Sequence, residues 1–556
     1  MHKKKWYKRW WFILLAGIVI LFISGAIYLY YVAIVYPPKV PDTTSLTLER
    51  KEISPGVYTI GENWFRKSNS GLFEMYTSGK PFERGAINGK LSKELVQRQE
   101  DHFNEQIRKM IPSDFYLHFL KYFVAWFNRD LAENVTEEDK EEIYGISTSA
   151  SEKYEYIGSN YQRILNYHAA HDIGHALQSM ALVGCTSFAT WGKKSVDGTL
   201  IAGRNFDFYV GDEFAQDKIV AFENPDHGYR FMTVTWGGFI GAVSGMNEKG
   251  LAVTINAAKS GIPSASATPV SLVAREILQY AKNIAEAYAI AGKRKMFVSE
   301  SFLISSASDH KAAIIEKTPD SLSIYESEQD YIICANHFQS KELGVSEPNR
   351  EQMQNSASVY RYNRVVELLK QVDTNTVDRT VSILRNQQGI GNADIGMGNE
   401  KAVNQLIAHH SIVFEPEKLK VWVSTSPWQL GPFVCYDLQK VFAMHGLKAD
   451  REIAEDSLTI PADSFLTTIQ YQHFVRFREL KERMRSGQDI DADSLVILNP
   501  GYYHAYVLAG DYWFKRNDFQ KSQSYYEKAQ TLVIATKKEE MYIAAQIDLC
   551  KKKKQS

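Results

Sequence analysis

Val183-Gly184-Cys185-Thr186-Ser187-Phe188-Ala189 is followed, across a polar turn at Lys193-Lys194-Ser195-Val196-Asp197-Gly198, by Leu200-Ile201-Ala202-Gly203-Arg204-Asn205-Phe206-Asp207-Phe208. Both runs are short, apolar and bounded by glycine or aspartate, which predicts two strands joined as a hairpin. Further β-like runs follow at Ile219 to Glu223, Arg230 to Trp236 and Leu251 to Ile255. A helical run from Val270 to about Ala291 comes next, then strands at Phe302 to Ser306, Ala312 to Glu316, Ser321 to Tyr325 and Tyr331 to Ala335. Strands, a helix and strands again predict packed layers.

Working outward, the stretch before residue 184 reads as mainly helical, after a linker at Pro37, Pro38, Pro41 and Thr43 to Ser45. Before that linker, Trp10 to Pro38 carries no charge and is apolar enough to cross a bilayer as a helix. Lys3, Lys4, Lys5, Lys8 and Arg9 precede it, and Lys39 is the only base soon after, so the positive-inside rule leaves the N-terminus in the cytoplasm. A cleaved signal peptide with Ser24-Gly25-Ala26 as its site is the second reading, because the apolar run continues through Ile27 to Val35. Beyond about residue 462 the chain returns to helix. Tyr506, Gly510, Trp513, Phe519, Ser522, Tyr526 and Ala529 fall there at the spacing of a single tetratricopeptide-like repeat, or of an ordinary helical hairpin.

The 556 residues are 44% hydrophobic and 23% charged, as expected of folded chains, and exceed one ordinary core. Lysine plus arginine number 64 against 65 acids, so no overall field draws the protein to nucleic acid. The four cysteines, Cys185, Cys334, Cys435 and Cys550, are too scattered for a disulfide framework or a CxxC metal site.

The hairpin motif resembles the start of the mature nucleophile chain in choloylglycine hydrolases, penicillin V acylases, acid ceramidase and isopenicillin-N acyltransferase-like enzymes (the peptidase C45-like branch), all N-terminal-nucleophile cysteine hydrolases. In that family a Cys-Thr strand is followed by an Arg-Asn-x-Asp strand, matched here by Cys185 and by Arg204-Asn205-Phe206-Asp207. The turn between them is longer than is usual for the family. Gly245-Met246-Asn247-Glu248-Lys249-Gly250-Leu251 leading to Asn256 resembles the segment bearing an oxyanion-binding asparagine, and Ala335-Asn336-His337-Phe338 the one bearing a second. Tyr360-Arg361-Tyr362-Asn363-Arg364 resembles the helix start whose first arginine points at the nucleophile, and Gly79-Lys80-Pro81-Phe82-Glu83-Arg84-Gly85 a propeptide signature. The resemblance spans roughly residues 50 to 370.

The resemblance implies a four-layer α/β/β/α sandwich, to which the apolar run adds an N-terminal transmembrane helix and the helical spacings a C-terminal extension. Together these readings divide the chain into a cytoplasmic tip and anchor at 1–38, a helical propeptide-like region at 39–184, the catalytic domain at 185–461 and the tetratricopeptide-like region at 462–556. Cleavage of the Gly184-Cys185 bond would expose Cys185 as the nucleophile. Its own α-amine, with a reference pKa of about 8, would then serve as base, so no catalytic histidine is required. Arg204 would favour the thiolate, Asp207 would hold the α-amine, Asn256 and Asn336 would bind the oxyanion, and Arg361 would complete the positive lining.

Each residue has a structural alternative when taken singly. A lone cysteine in a strand is usually a buried hydrophobe, and Arg204 with Asp207 fits a structural ion pair. The matches falling in one order favour the enzyme. His168, His171, Asp172 and His175 lie on a predicted helix but offer no evident third ligand, so neither a metal nor a cofactor is expected. The sequence thus predicts an extracytoplasmic, membrane-anchored amidase or acyltransferase, periplasmic or at the cell surface, acting on a small-molecule N-acyl amide. The rival is a membrane-anchored scaffold that binds a protein partner through its C-terminal helices and carries a degenerate hydrolase domain.

Overall fold

The computed structural model describes residues 4–32, 34–110, 113, 122–177, 184–208, 211–259, 267–448 and 451–555. Its strands in chain order are Lys51–Ser54 (β1), Val57–Ile60 (β2), Asn63–Lys67 (β3), Phe73–Gly79 (β4), Thr186–Thr190 (β5), Ile201–Phe206 (β6), Ile219–Pro225 (β7), Phe231–Thr235 (β8) and Ser244–Asn247 (β9). They continue as Leu251–Ala257 (β10), Glu300–Ser306 (β11), Lys311–Lys317 (β12), Leu322–Tyr325 (β13), Tyr331–Cys334 (β14), His410–Glu415 (β15), Lys420–Ser424 (β16) and Phe433–Asp437 (β17). Among the described residues they make two sheets, ordered β1-β2-β3-β4-β7-β8-β9-β10-β11-β12-β13 and β14-β5-β6-β15-β16-β17.

Alternation along each strand decides what each sheet face touches, since successive side chains point to opposite faces. In β10, Ala252 packs between the sheets with Leu303 and Ile314, against Ala202, Ile332, Ile412 and Val421 of the second sheet. Its neighbours Leu251, Val253 and Ile255 face outward onto Val270, Val273, Ile277 and Leu278 of the helix Val270–Tyr280. On the other sheet, Phe188, Ile201 and Val413 face outward onto Val365, Leu369 and Leu384, carried by the helices Ser358–Lys370 and Val377–Leu384. The fold is therefore mixed α/β, with helices on the outer face of each of two stacked sheets. The helical run predicted from Val270 breaks at Lys282, where Asn283 caps a second helix, Ile284–Lys293.

The region before the hairpin differs from its reading as helix. Strands β1 to β4 precede its helices, and β4 pairs in parallel with β7, so this region completes the larger sheet. Strands β1 to β4 pair antiparallel in sequence order, joined at Gly56, Gly61 and Gly71, local turn signals that the helical reading passed over, and only the pairing of β4 with β7 is distant in sequence. Pro81 opens the helix Pro81–Leu91, and its Gly85 has no room for a side chain, since a Cβ there would sit 2.0 Å from the carbonyl oxygen of Glu142. Beside that contact, the Glu142 carboxylate pairs with Arg84 and, at 2.7 Å, with Arg275 of the helix Val270–Tyr280. All three are buried, and Arg84 also lies 3.6 Å from Glu223 of β7.

After β17 the chain forms the helices Ile469–Arg485, Asp493–Leu498, Tyr503–Lys515, Phe519–Gln530 and Lys537–Gln555. Their shared core of Phe474, Phe477, Tyr503, Tyr526 and Ile543 continues into Leu406, Trp428 and Leu430 of the sheet region. At the other end, Lys4–Val32 is one helix whose 22 residues Trp10–Tyr31 are apolar and unburied. That is the length and composition of a membrane span, and equally of a signal sequence.

Removing one partner of a buried ion network strands the others without water, at a cost of about 3–5 kcal/mol. Glu142→Ala should lower unfolding stability by about that much, whereas Arg98→Ala, which breaks a half-exposed pair with Asp217, should cost under about 1 kcal/mol. Denaturant midpoints of the two variants check this.

Candidate active site

Strands β5 and β6 pair with Thr186 opposite Asn205 and Ser187 opposite Arg204. That register brings Cys185, at the mouth of β5, beside Arg204, whose Nη2 lies 3.5 Å from the thiol sulfur. Arg204 is fully buried, so its guanidinium must find acceptors inside the protein. It donates to the carbonyls of Val243 at 2.8 Å and Ile255 at 2.5 Å and to the Ser244 hydroxyl, and it lies 4.2 Å over the Phe206 ring. Burial pushes the Cys185 thiol above its ordinary pKa; Arg204 opposes that rise, while Asp207 and Glu300 add to it.

Arg361, on the helix Ser358–Lys370, reaches across to the same point. It donates to the Cys185 carbonyl at 2.6 Å, to the Thr186 hydroxyl at 2.7 Å and to Asn336 Oδ1 at 2.7 Å. Asn336 Nδ2 donates to the Ala257 carbonyl at 2.9 Å, and Asn256 Nδ2 to the Cys334 carbonyl at 3.0 Å, while Asn256 Oδ1 accepts from Ser187. Each amide nitrogen carries a second hydrogen beyond the bond it makes here.

Of the five side chains picked from sequence beside Cys185, Arg204 reaches the thiol itself, Arg361 reaches the Cys185 carbonyl and carries Asn336 with it, and Asn256 bonds Ser187 two residues along. The Nε atoms of Arg204 and Arg361 are buried without partners, and so is one oxygen of Asp207. Asp207 Oδ2 accepts a long bond of 3.3 Å from Gln405, and its Oδ1 is the unpartnered oxygen. Burial raises its pKa to about 7, against the opposing charges of Arg361 and Arg204. The Gly184 amide donates to the Asp207 carbonyl at 3.0 Å, and the Gly184 carbonyl accepts from Gln405 Nε2 at 2.7 Å. Val183, before it, lies outside the described residues.

Several participants escaped the sequence reading. Ser244, which receives Arg204, also bonds His410 Nε2 at 2.9 Å, and His410 Nδ1 meets His409 Nδ1 at 2.8 Å. Burial keeps both imidazoles well below their usual pKa, reinforced by Lys218 and Arg204. Glu300, opposite Ala257 across β10 and β11, is buried with both carboxylate oxygens unpartnered. None of these has a local motif, and only the register of distant strands brings them to the thiol.

Of the upstream histidines, His168 spends both ring nitrogens within the fold. Nδ1 bonds the Ile164 carbonyl at 2.8 Å and Nε2 accepts from the Ile240 amide at 2.9 Å, while the ring stacks on Phe239. Burial lowers its pKa to about 4, so this is a structural, neutral imidazole with no lone pair left for a metal. Asp172 accepts from the Val270 amide at the start of the helix Val270–Tyr280. The side chains of His171 and His175 lie outside the described residues.

The family model for acyl-coenzyme A:6-aminopenicillanic acid acyl-transferase matches residues 193–426. That span begins after Cys185 and includes Arg204, Asp207, Asn256, Asn336, Arg361 and Gln405. An uncharacterized protein of Archaeoglobus fulgidus is 23% identical over 309 residues, covering 48% of this chain and 50% of that one. Protein dcd1B of Dictyostelium discoideum is 21% identical over 276 residues, covering 46% and 52%. The chain spans about half the length of the curated relatives it matches. Among solved structures, a Caenorhabditis elegans N-acylethanolamine-hydrolyzing acid amidase ortholog is 16% identical, covering 42% of this chain and 93% of that chain, with a TM-score of 0.30. A mutant conjugated bile acid hydrolase from Clostridium perfringens is 14% identical, covering 50% and 97%, also with a TM-score of 0.30.

Glu300 gives a pH signature. Burial, and the nearby Asp172, raise its pKa well above the usual carboxylate value, against the charge of Arg204. A raised folded pKa means the folded state holds this proton to higher pH than the unfolded chain does. Stability from this group is therefore fullest below the unfolded carboxylate pKa and is lost as pH rises towards the folded one. Glu300→Gln cannot ionise and should lose less stability between acid and alkaline buffers than wild type, as read from denaturation midpoints across the pH range.

Proposed function

We propose that this chain, whose residues 193–426 match the acyl-transferase family model, is a self-processed amidase of the N-terminal-nucleophile kind. It cuts its own Gly184-Cys185 bond and then cleaves a non-peptide N-acyl amide through a thioester on Cys185. The observation that carries this reading is the buried, unpartnered Oδ1 of Asp207 at the Gly184-Cys185 junction. An α-amino group released there would meet a waiting acceptor and, as the free amine, supply the base the site lacks.

In the processed enzyme the α-amine takes the thiol proton, and the thiolate, favoured by Arg204, attacks the substrate carbonyl. The spare hydrogens of Asn256 and Asn336 receive the oxyanion, each such donor being worth roughly 10²- to 10³-fold in rate. Arg361 fixes Asn336 by binding its Oδ1. The α-ammonium returns its proton to the departing amine, and water resolves the thioester. An amine in place of water would make the same enzyme an acyltransferase, since both outcomes share one acyl-enzyme.

The fold belonging to this reading is the α/β/β/α sandwich of N-terminal-nucleophile hydrolases. The helix Lys4–Val32 acts as its anchor, with the catalytic region outside the cytoplasm, and a membrane setting favours a lipid-like acyl group. The scaffold reading would assign the C-terminal helices a partner and leave the thiol idle. It is disfavoured by the number of buried polar groups spent on positioning that thiol.

Cys185→Ala should give a folded, uncut and inactive chain, and Cys185→Ser a slowly cut, poor amidase, because a hydroxyl is the weaker nucleophile. Cys334→Ala, which removes a buried thiol whose side chain takes no part, should leave turnover unchanged. Hydrolysis of an N-acyl amide panel, with mass spectrometry of the acyl group on the Cys185 peptide, decides between them. Loss of activity in Cys334→Ala with survival in Cys185→Ala would assign the wrong cysteine. Protease added to intact spheroplasts should digest the catalytic region, and its protection until lysis would reverse the orientation.

A further inference from the structure

The carbonyl that must be attacked in self-cleavage is that of Gly184, and its partner is not the oxyanion pair expected from the sequence. Asn256 Nδ2 lies 3.0 Å from the Cys334 carbonyl and Asn336 Nδ2 lies 2.9 Å from the Ala257 carbonyl. Arg361 binds the next carbonyl along, that of Cys185. The donor on Gly184 O is Gln405 Nε2, at 2.7 Å. We propose that Gln405 is the catalytic oxyanion donor of self-cleavage, a role separate from substrate turnover. The proposal rests on the reading that the chain cuts itself.

The geometry fixes this amide with little freedom. Gln405 is 4% exposed, and its second hydrogen points to Asp207 Oδ2 at 3.3 Å. Two oxygen acceptors flank Nε2, so a flipped amide would set its own oxygen against both, and the nitrogen-inward orientation follows. Asn404 Oδ1 takes the Leu406 amide at 3.0 Å, and Leu406 itself holds a positive φ of 56°, a conformation that costs a leucine energy and aims the residue before it. On the scissile side, a Cβ on residue 184 would come within 2.3 Å of Gln405 Nε2. The glycine is what allows the amide to reach its carbonyl.

The step balances without an outside reagent other than water. The Cys185 sulfur bonds the Gly184 carbonyl carbon while the oxygen takes negative charge beside Gln405. The Gly184 C–Cys185 N bond then breaks, and the thiol proton ends on the Cys185 nitrogen. The product is a Gly184 thioester on the sulfur and a free α-amine. Water hydrolyses that thioester to the Gly184 carboxylate and the thiol.

The test follows cleavage of the full chain in detergent by intact mass, for wild type, Gln405→Met, which keeps volume without a donor, and Gln405→Glu, which keeps shape but only accepts. Expected is a fall of roughly 10²-fold or more in cleavage rate for both, with retained thermal unfolding temperature. Per cut chain, amide turnover should fall by far less than the cleavage rate does, the remaining loss being that of the Gln405 contact with Asp207. Hydroxylamine, which intercepts thioesters, should speed wild-type cleavage and rescue neither variant. Variants that cut at the wild-type rate, that are rescued by hydroxylamine, that lose turnover per cut chain as much as they lose cleavage, or that unfold would each overturn the assignment. A wild-type chain that stays whole yet hydrolyses amides would instead sink self-processing, and this inference with it.

Discussion

The site is organised by one demand, which is the burial of the Arg204 guanidinium beside a thiol. Taking a cation out of water costs several kcal/mol unless its donors are met. Here the acceptors come from three separate places: the Val243 carbonyl, the Ser244 hydroxyl and the Ile255 carbonyl. Val243 and Ser244 lead into and open β9, and Ile255 sits on β10, so the inner face of the larger sheet must meet β6 of the smaller one at a single offset. A one-residue slip of β6 would turn Arg204 to the opposite face and leave those acceptors bare. The apolar core between the sheets supplies the cohesion, and the arginine supplies the register.

The same demand explains the uncharged histidines. His410 closes the far side of Ser244, and a second cation there would oppose Arg204, so burial keeping the imidazole neutral is consistent with its place. Neutral side chains and backbone dipoles thus surround the arginine, and the charge it presents to the sulfur is not cancelled by a tight carboxylate. Asp207 and Glu300, the nearby acids, make no hydrogen bond or ion pair with it, and burial raises the pKa of both.

The hairpin was legible because its information is local: alternation, turn chemistry and a cysteine and an arginine whose strands are adjacent in sequence. Asn256, Asn336 and Arg361 were legible only through resemblance, since nothing in their own neighbourhoods requires a thiol nearby. Gln405 lies 221 residues from Gly184 and carries no motif, and its role emerges only when strand pairing closes that distance. Strands β1 to β4 differ: they pair antiparallel in sequence order across turns at Gly56, Gly61 and Gly71, so their signals were local and were passed over, and only the parallel pairing of β4 with β7 was hidden by distance. The helical reading of the same region did find Pro81–Leu91, whose proline and glycine punctuation is local.

That sheet pairing bears on what cleavage can accomplish. With β4 hydrogen-bonded along β7, and Arg84 and Glu142 buried against Arg275, the segment before Cys185 is part of the folded body. Cutting at Gly184 would break one covalent bond and leave those contacts intact, so activation cannot consist of releasing a detachable plug. It must act at the junction itself. In the uncut chain burial holds the thiol protonated and raises Asp207 to about 7, so neither group is strongly charged. A new α-ammonium would change both at once: an adjacent cation lowers the pKa of the carboxyl and of the thiol together. On the proposed reading the cut would create the base, ionise the group that anchors it and ready the nucleophile, and electrostatics would hold the precursor inactive at a site whose geometry is already built.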